Sequence, residues 1–285
     1  KIIEGCFMKT IWLVYEQHNV ARNQFFINQW GFAAKQQRAA IQLVLAEDLQ
    51  MGIRDGQPAL SHKDGLKLPD AAVMRLNHPL FSAQFEHMGI PAFNNSHVAR
   101  ICNDKRLTHQ LISRITRAMD TVFLRGDETA SPLPYPVVIK DVFSCGGRGV
   151  YLANNDRAFQ ESIAKIPSGS ALAQNLSDTP GRDVRAYVLG KEIIAVFMRH
   201  ADHDFRSNIG QGGDATPFVL QPEDERVVRE IIGLFDFGLV GIDFIFHQGK
   251  LVFNEIEDAV GTRMLFANGH EDIVARYLAF ILNKI

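Results

Sequence analysis

LVGIDFIFHQGKLVFNEIEDAVGTR, residues 239–263, contains two apolar runs separated by the turn signal HQGK. Apolar runs on both sides of such a turn predict two strands joined as a hairpin. Asp243 lies in the first predicted strand, whereas Glu255 and Glu257 end the second, two residues apart and therefore on one face. We therefore expect three carboxylates to meet on one patch of this hairpin.

Acidic side chains gathered on largely apolar strands repel one another and lose hydration, and a hard cation between them relieves both costs. Mg²⁺ is the usual ion for such oxygen ligands, with Mn²⁺ as the alternative. The pattern predicts a divalent-metal site formed by Asp243, Glu255 and Glu257. A solvated hairpin end that carries ordinary surface charge is the other interpretation, and the hairpin alone does not exclude it.

The composition is that of an ordinary soluble globular protein, because 46% of the 285 residues are hydrophobic and 22% are charged. This length suffices for about two domains. The formal net charge of −2 gives no electrostatic reason to expect nucleic acid or an anionic membrane as a partner. No apolar run has the length of a membrane span. Cys6, Cys102 and Cys145 are too few for a disulfide framework, which favours a reducing cytoplasm.

Residues 1–95 predict a parallel α/β layer. Residues 1–7 precede Met8, which has the form of a natural start, so we expect them to be foreign to the native chain and leave them out of the fold prediction. The alternation of strand and helix indicates parallel strands. The predicted strands are 11–15, 41–45, 71–75 and 90–93, the helices are 23–38 and 80–88, and residues 51–67 form a hairpin or loop.

Residues 96–172 predict a second region with a helix over 96–117 and one small sheet. Strands 121–124 and 137–140 lie on the two sides of a proline-rich loop. The loop Ser144-Cys145-Gly146-Gly147-Arg148-Gly149 follows the second of them. Its glycines allow backbone N–H groups to approach phosphate oxygens. Neither a Walker motif nor a dinucleotide fingerprint is present, and an ordinary hairpin turn is the alternative.

Residues 173–285 predict a third region that ends with the acidic hairpin and a last helix over 272–282. Before them come the end of a short strand over 170–176, a hairpin over 183–199 and a helix over 223–235. Alternation on the hairpin places Asp183 and Arg185 on one face. His200 and His203 lack a third well-spaced ligand, so we favour a polar loop over a zinc site there.

The order of these features resembles the ATP-grasp superfamily, and most closely the RimK-type ribosomal-protein glutamate ligases. The resemblance covers nearly the whole chain and is strongest over residues 85–105, 205–213 and 241–261. It implies an ATP-grasp fold of class α/β (α+β), in which an N-terminal parallel layer, 1–95, is followed by two α+β subdomains, 96–172 and 173–285, that clamp ATP.

The resemblance also implies roles for individual residues. They fall into three sets: residues that hold the nucleotide, metal ligands, and residues around the reacting phosphate and carboxylate. The nucleotide residues are Lys105, Lys140, Ser144, Gly146, Gly147, Arg148, Gly149, the adenine hinge Gln174, Asn175 and Leu176, and Asp183 with Arg185; the metal ligands are Asp243, Glu255 and Glu257; Arg199, Arg206 and Asn208 surround the reacting phosphate and carboxylate.

One departure from the family concerns the acidic hairpin. The family usually ends it Glu-x-Asn-Ser-x-Pro-Gly, whereas this chain has EIEDAVG at 255–261. Glutamate in place of asparagine keeps an oxygen ligand, so we expect metal binding to be retained. The missing Ser and Pro fall where family members often contact substrate, so the substrate is left open.

The implied activity is that of an ATP-dependent carboxylate–amine ligase. It would add an amino acid such as glutamate to a peptide, a protein end or a small metabolite, through an acyl phosphate. The implied partners are ATP, Mg²⁺, the amino acid and the carboxylate-bearing substrate, and a homo-oligomer is left open. Two rivals remain: a D-alanine-type dipeptide ligase and a non-catalytic nucleotide-binding module. The retained carboxylates and lysines argue against the second.

Overall fold

The structure, a computed structural model, describes residues 8–201 and 214–285. It divides into two compact units. Unit 1 comprises the chain up to Arg100 together with Asp236–Leu239 and Ala259–Ile285, and unit 2 comprises Ile101–Phe235 and Val240–Asp258. The three regions that end at residues 95, 172 and 285 stay a prediction. Within the described residues, no helix is long and apolar enough to cross a membrane.

The first elements of the chain build most of unit 1. They are β1 (Thr10–Tyr15), α1 (Gln17–Gln37), β2 (Ala40–Leu45), β3 (Leu49–Arg54), β4 (Gln57–His62), β5 (Ala71–Met74), α2 (Pro79–His87), β6 (Ala92–Phe93) and α3 (Ser96–Cys102). The predicted parallel layer is confirmed, because β2, β1, β5 and β6 form a parallel sheet in that order. The strand β1 is buried along Ile11–Tyr15, as its unbroken apolar run requires of a central parallel strand. Residues 51–67 fall in and after the β3–β4 hairpin.

The remaining elements follow in chain order. They are α4 (Lys105–Ile112), β7 (Thr121–Leu124), β8 (Val137–Asp141), β9 (Val150–Ala153), α5 (Asp156–Ile163), β10 (Ala171–Asn175), β11 (Arg182–Leu189), β12 (Glu192–His200), β13 (Asp214–Pro217), α6 (Pro222–Gly233), β14 (Leu239–His247), β15 (Lys250–Glu257), α7 (Arg263–Ala267) and α8 (Ile273–Leu282). One sheet has the order β7-β10-β8-β9 and a second has the order β13-β12-β11-β14-β15. The proline-rich loop therefore joins two strands of one sheet, as predicted.

The single helix predicted over 96–117 is wrong. The structure has two helices, α3 and α4, because Asn103 and Asp104 interrupt the first. The carboxylate of Asp104 accepts a hydrogen bond from the backbone N–H of Arg106 at 3.0 Å and so caps α4. Aspartate is a preferred residue at this position, since it satisfies a backbone donor that the new helix leaves unpaired. This cap places Lys105 at the first position of α4.

The predicted acidic hairpin is confirmed as β14 and β15. Its turn contains Gln248 and Gly249, which both have positive φ angles, 52° and 71°. Two consecutive left-handed residues form the turn whose twist matches a two-residue hairpin. The register sets Asp243 opposite Glu255 and Gly241 opposite Glu257, with a shift after Asp243. The metal ligands predicted on two strands are thus brought side by side.

Candidate functional site

The three carboxylates of the acidic hairpin form one cluster. Asp243, Glu255 and Glu257 each offer a carboxylate oxygen, and these atoms all lie within 4.8 Å of one another. Asp243 is fully buried, whereas the side chains of Glu255 and Glu257 are 22% and 17% exposed. The hairpin therefore presents one buried and two accessible acidic groups.

Two buried arginines balance the charge of Asp243. Arg185 donates to both carboxylate oxygens of Asp243, through Nε at 2.7 Å and Nη2 at 2.6 Å. Nη2 of Arg199 adds a third contact at 2.7 Å. Burial alone raises the pKa of Asp243, but the two guanidinium groups outweigh it and the net shift is downward. Asp243 is therefore ionised in the folded protein.

The ion-pair network extends from Asp243 to both sides. Nη1 of Arg185 lies 2.8 Å from Glu257. Arg199 lies directly across the β11–β12 ladder from Asp183, and its Nε and Nη2 bind that carboxylate at 2.5 Å. Arg185 thus uses all three guanidinium nitrogens on carboxylates, whereas Nη1 of Arg199 has no hydrogen bond within the described chain. Arg199 retains a donor for a ligand.

A cleft of about 780 Å³ in unit 2 brings most of the predicted nucleotide residues together. Of the predicted site residues, those that line it are Lys105, Lys140, Ser144, Gly147, Arg148, Gln174, Asn175, Leu176, Asp183, Arg199 and Glu255. Among the described site residues, Gly146, Gly149, Arg185, Asp243 and Glu257 lie outside this lining.

The two lysines of the cleft have different partners. Nζ of Lys105 donates to the carbonyl of Ser144 and lies 3.4 Å from Glu255. Nζ of Lys140 donates to the side-chain oxygens of Gln174 at 2.7 Å and Asn254 at 2.8 Å. Burial, with a further contribution from the charge of Lys105, lowers the pKa of Lys140 to about 8, although Glu255 opposes the shift. Lys140 is a cation held by neutral amides.

The glycine loop between β8 and β9 adopts a conformation that requires glycine at three positions. Gly146, Gly147 and Gly149 have φ angles of 65°, 74° and 62°, in the region that favours glycine. A Cβ on Gly149 would lie 2.8 Å from Cβ of Asp141, so a side chain there would also clash. The hydroxyl of Ser144 donates to the carbonyl of Arg148 at 2.6 Å and closes the loop.

Comparison with known proteins decides the family. A family model described as the RimK-like ATP-grasp domain matches residues 103–281. The chain belongs to this family. The predicted resemblance is confirmed, and with it the ATP-grasp fold and the enzyme class, an ATP-dependent, ADP-forming ligase.

Individual relatives agree with this assignment. A probable alpha-L-glutamate ligase from Vibrio cholerae is 27% identical over 267 residues, 87% of this chain and 88% of that protein. A RimK domain ATP-grasp protein from Sphaerobacter thermophilus shares the fold with a TM-score of 0.70 at 19% identity, over 96% of this chain and 99% of that one. D-alanine–D-alanine ligase from Bacillus anthracis, solved with ATP, has a TM-score of 0.71 at 13% identity, over 97% of this chain and 96% of that one.

The carboxylate cluster of this ATP-grasp chain fits a hard divalent cation. Its donors are all oxygens, which Mg²⁺ and Mn²⁺ prefer. Each carboxylate oxygen accepts two hydrogen bonds or ligand bonds, and the described residues give Oδ1 of Asp243 one, from Arg185. Glu255 and Glu257 are accessible on the same patch. All three residues can therefore hold a metal ion without breaking the Arg185 pair.

Asn254 is the functional residue that the sequence analysis missed. Its side-chain oxygen binds the ammonium of Lys140 directly, and it lines the cleft. The available signal was a single amide after the apolar run 251–253, next to Glu255. Three apolar walls of the cleft, Val138, Val150 and Ile245, were also missed, because apolar strand residues carry no sequence signal that separates a cleft wall from the core.

Two of the predicted catalytic residues, Arg206 and Asn208, lie outside the described residues, as does His203. Their roles stay predictions from the family resemblance. His200 ends β12 and is exposed.

Proposed function

We propose that this chain is a carboxylate–amine ligase that works through an acyl phosphate and adds an amino acid such as glutamate to a peptide, a protein end or a small metabolite. The observation that carries the proposal is the arrangement within unit 2. Lys105, Lys140 and Arg199 line one cleft with Glu255, which belongs to the cluster of three carboxylates. Cations and metal ligands around one cleft are the requirements of phosphoryl transfer.

The chemistry explains why these charges are needed. A carboxylate resists attack by an amine because its leaving group would be an oxide. When a carboxylate oxygen displaces ADP from the γ-phosphorus of ATP, the product is an acyl phosphate. The amine then attacks the carbonyl carbon, inorganic phosphate leaves with that carboxylate oxygen, and the amine loses a proton. Both steps accumulate negative charge that the protein must stabilise.

The described residues divide this work. We assign the phosphates of ATP to Lys105 and Lys140, and a Mg²⁺ ion to Asp243, Glu255 and Glu257. When bound, the ion neutralises the charge on the transferring phosphoryl group. Nη1 of Arg199, which has no hydrogen bond with residues 8–201 or 214–285, is assigned to phosphate or carboxylate oxygens in the cleft.

The proposal of glutamate rests on the names of relatives and not on a contact in the structure. A protein named as a probable alpha-L-glutamate ligase aligns over most of both chains. Glu257 stands where the family usually has asparagine, next to the segment where its Ser and Pro are missing. The acceptor of this chain is therefore expected to differ from the acceptors of family members that keep them.

Amino-acid-dependent ADP release tests the proposal. Purified protein receives ATP, Mg²⁺ and each amino acid in turn, alone and with short peptides that carry a free carboxyl end. We expect ADP release that requires an amino acid, highest with glutamate, and a ligated product one amino acid heavier by mass spectrometry. Release with D-alanine alone would favour a dipeptide ligase. Tight ATP binding with no release on any substrate would favour a non-catalytic module.

A further inference from the structure

The parallel sheet of unit 1 has a topological switch point between β1 and β5. The sheet order is β2-β1-β5-β6, so the chain leaves β1 on one side to form β2 and then continues on the other side with β5. Right-handed crossovers on opposite sides place the connecting segments on opposite faces. In open α/β sheets the carboxyl ends of the two strands at such a point are where ligands bind.

Two polar side chains lie at this switch point. Tyr15 is the last residue of β1, and Arg75 follows the last residue of β5. Arg75 continues the ladder, since its backbone N–H donates to the carbonyl of Val14 at 2.9 Å. Burial raises the pKa of the Tyr15 hydroxyl, and the charge of Arg75 and a side-chain hydrogen bond with it oppose that shift. The guanidinium and the hydroxyl are therefore neighbours at the ends of adjacent strands.

Among the residues that the structure describes, Arg75 is a buried cation without a counter-ion. It is 8% exposed, its guanidinium lies over the ring of Phe26 at 5.0 Å, and Nη2 donates to the carbonyl of Val260 at 2.9 Å. No carboxylate of residues 8–201 or 214–285 forms an ion pair with it. Among the described residues, its Nε and the hydroxyl of Tyr15 are buried and form no well-shaped hydrogen bond, although the two side chains interact with each other. Buried charges are normally paired, so this arrangement is costly in the free protein.

The carboxylate of Asp70, the nearest to Arg75 along the chain, accepts hydrogen bonds from Lys9 and Thr10. The carboxylates that follow β1 and β2 also have other partners. Glu16 accepts a hydrogen bond from the side chain of Asn19, and Glu47 accepts two from the backbone N–H of Gln17 at the start of α1. Nη1 of Arg75 has no partner within the described chain, and unlike Nε it is not completely buried. Nη1, which carries two N–H donors, is therefore left for a ligand.

We propose that Arg75, with the hydroxyl of Tyr15 beside it, binds a carboxylate group of a substrate at the switch point of the unit 1 sheet. A carboxylate matches one guanidinium in charge and in planar geometry. A phosphate dianion would leave one negative charge unbalanced beside the apolar ring of Phe26. The proposal rests on the proposed function in one respect, that the substrates of this chain carry carboxylates.

Carboxylate binding to the parent and to matched variants tests the proposal. The probes are L-glutamate, a tripeptide that ends in glutamate, inorganic phosphate and the diamide of L-glutamic acid, which keeps the amine but has no carboxylate. Affinity is measured by calorimetry with a non-hydrolysable ATP analogue present, and thermal unfolding is followed in parallel. We expect glutamate or the tripeptide to bind the parent and the diamide to bind much more weakly. Arg75→Met should weaken carboxylate binding by about tenfold or more, and Tyr15→Phe by less.

Arg106→Met is the matched control. Arg106 also lies over a phenylalanine ring, that of Phe143 at 5.4 Å, and donates to a main-chain carbonyl, that of Gly169 at 2.8 Å. Unlike Arg75 it has a carboxylate partner, Asp104, at 2.7 Å. We expect the control to leave carboxylate affinity unchanged. Without ligand, Arg75→Met should unfold within a few degrees of the parent, since an uncompensated charge is removed together with one hydrogen bond.

Three results would overturn the proposal. They are no carboxylate binding to the parent, equal affinity in the parent and in both Arg75→Met and Tyr15→Phe, or preference for inorganic phosphate. If Arg75→Met does not fold, Tyr15→Phe alone decides the matter through the same affinity ratio. None of these measurements requires turnover. If no amino acid elicits ADP release while carboxylates still bind through Arg75, the ligase proposal fails and this one stands.

Discussion

The buried arginines of the two units have different kinds of partner. In unit 2, Arg185 and Arg199 share the carboxylates of Asp183, Asp243 and Glu257, so each of these charges has a partner. In unit 1, the described residues give Arg75 an aromatic ring and one carbonyl but no carboxylate. The first arrangement holds the acidic hairpin in a fixed geometry before any ligand arrives. The second leaves a charge for a ligand to balance.

The largest expected effect is that of Asp243→Asn, which breaks the paired arrangement. Two buried guanidinium groups would lose the carboxylate that they share, and breaking a buried pair by removing one partner costs about 3–5 kcal/mol. We expect that loss in the free energy of unfolding measured with urea. Glu257→Gln is the control, because its side chain is partly exposed and should cost clearly less. Equal stability of Asp243→Asn and the parent would show that the ion pairs of Asp243 with Arg185 and Arg199 do not stabilise the fold.

Glu255→Gln should lower catalysis without disturbing the ion pairs of Arg185 and Arg199. Glu255 contacts Lys105 rather than either buried arginine, so the fold should persist. Loss of one metal-binding charge should lower turnover on the order of a thousandfold, as is typical when charge stabilisation of a phosphoryl transfer is removed. The measurement is turnover at saturating Mg²⁺, with circular dichroism as the control for folding. Near-normal turnover would remove Glu255 from the metal site.

The third prediction concerns Lys140 and the pH dependence of ATP affinity. Bound phosphate should raise its pKa above the value of about 8 in the free protein. ATP affinity should therefore be complete below pH 8 and fall as pH rises through the raised pKa, by up to about tenfold per pH unit. Lys140→Met should bind ATP more weakly and lack this dependence. Calorimetry across pH decides it, and identical pH profiles would show that Lys140 does not contact phosphate.

The smallest effect is expected for an exposed pair. Arg157 and Glu161 lie one helical turn apart on α5 at 2.9 Å, but both are largely exposed. Such pairs contribute about 0.3–0.5 kcal/mol, because water screens them. Arg157→Ala should change the urea unfolding free energy by no more than this and leave turnover unchanged. A loss of several kcal/mol would mean that burial does not set the worth of these ion pairs.

Local sequence patterns were sufficient for much of the fold and for the ligand types of the site. The acidic hairpin, the parallel layer and the glycine loop each depend on periodicity, turn residues or backbone conformation, which are local properties. The pairing of Arg185 with Asp243 depends on β11 and β14 lying together, across 58 residues of chain. Alternation placed Asp183 and Arg185 on one face but could not name their partners.

Other features needed the structure for a different physical reason. The break between α3 and α4 depends on a single cap at Asp104, whose effect competes with helical spacing on both sides. Asn254 acquires its role only because it meets Lys140, which lies 114 residues away. The lack of a counter-ion at Arg75 is a property of its surroundings and cannot be seen in any one stretch of sequence.

The fate of the carboxylate oxygen tests the central claim most directly. The acceptor that elicits ADP release is labelled with ¹⁸O in its carboxyl group, and the inorganic phosphate formed is analysed by mass spectrometry. An acyl phosphate gives up one carboxylate oxygen with its phosphate, so the account predicts one ¹⁸O atom in each phosphate released. Unlabelled phosphate from a reaction that still forms the amide would contradict it.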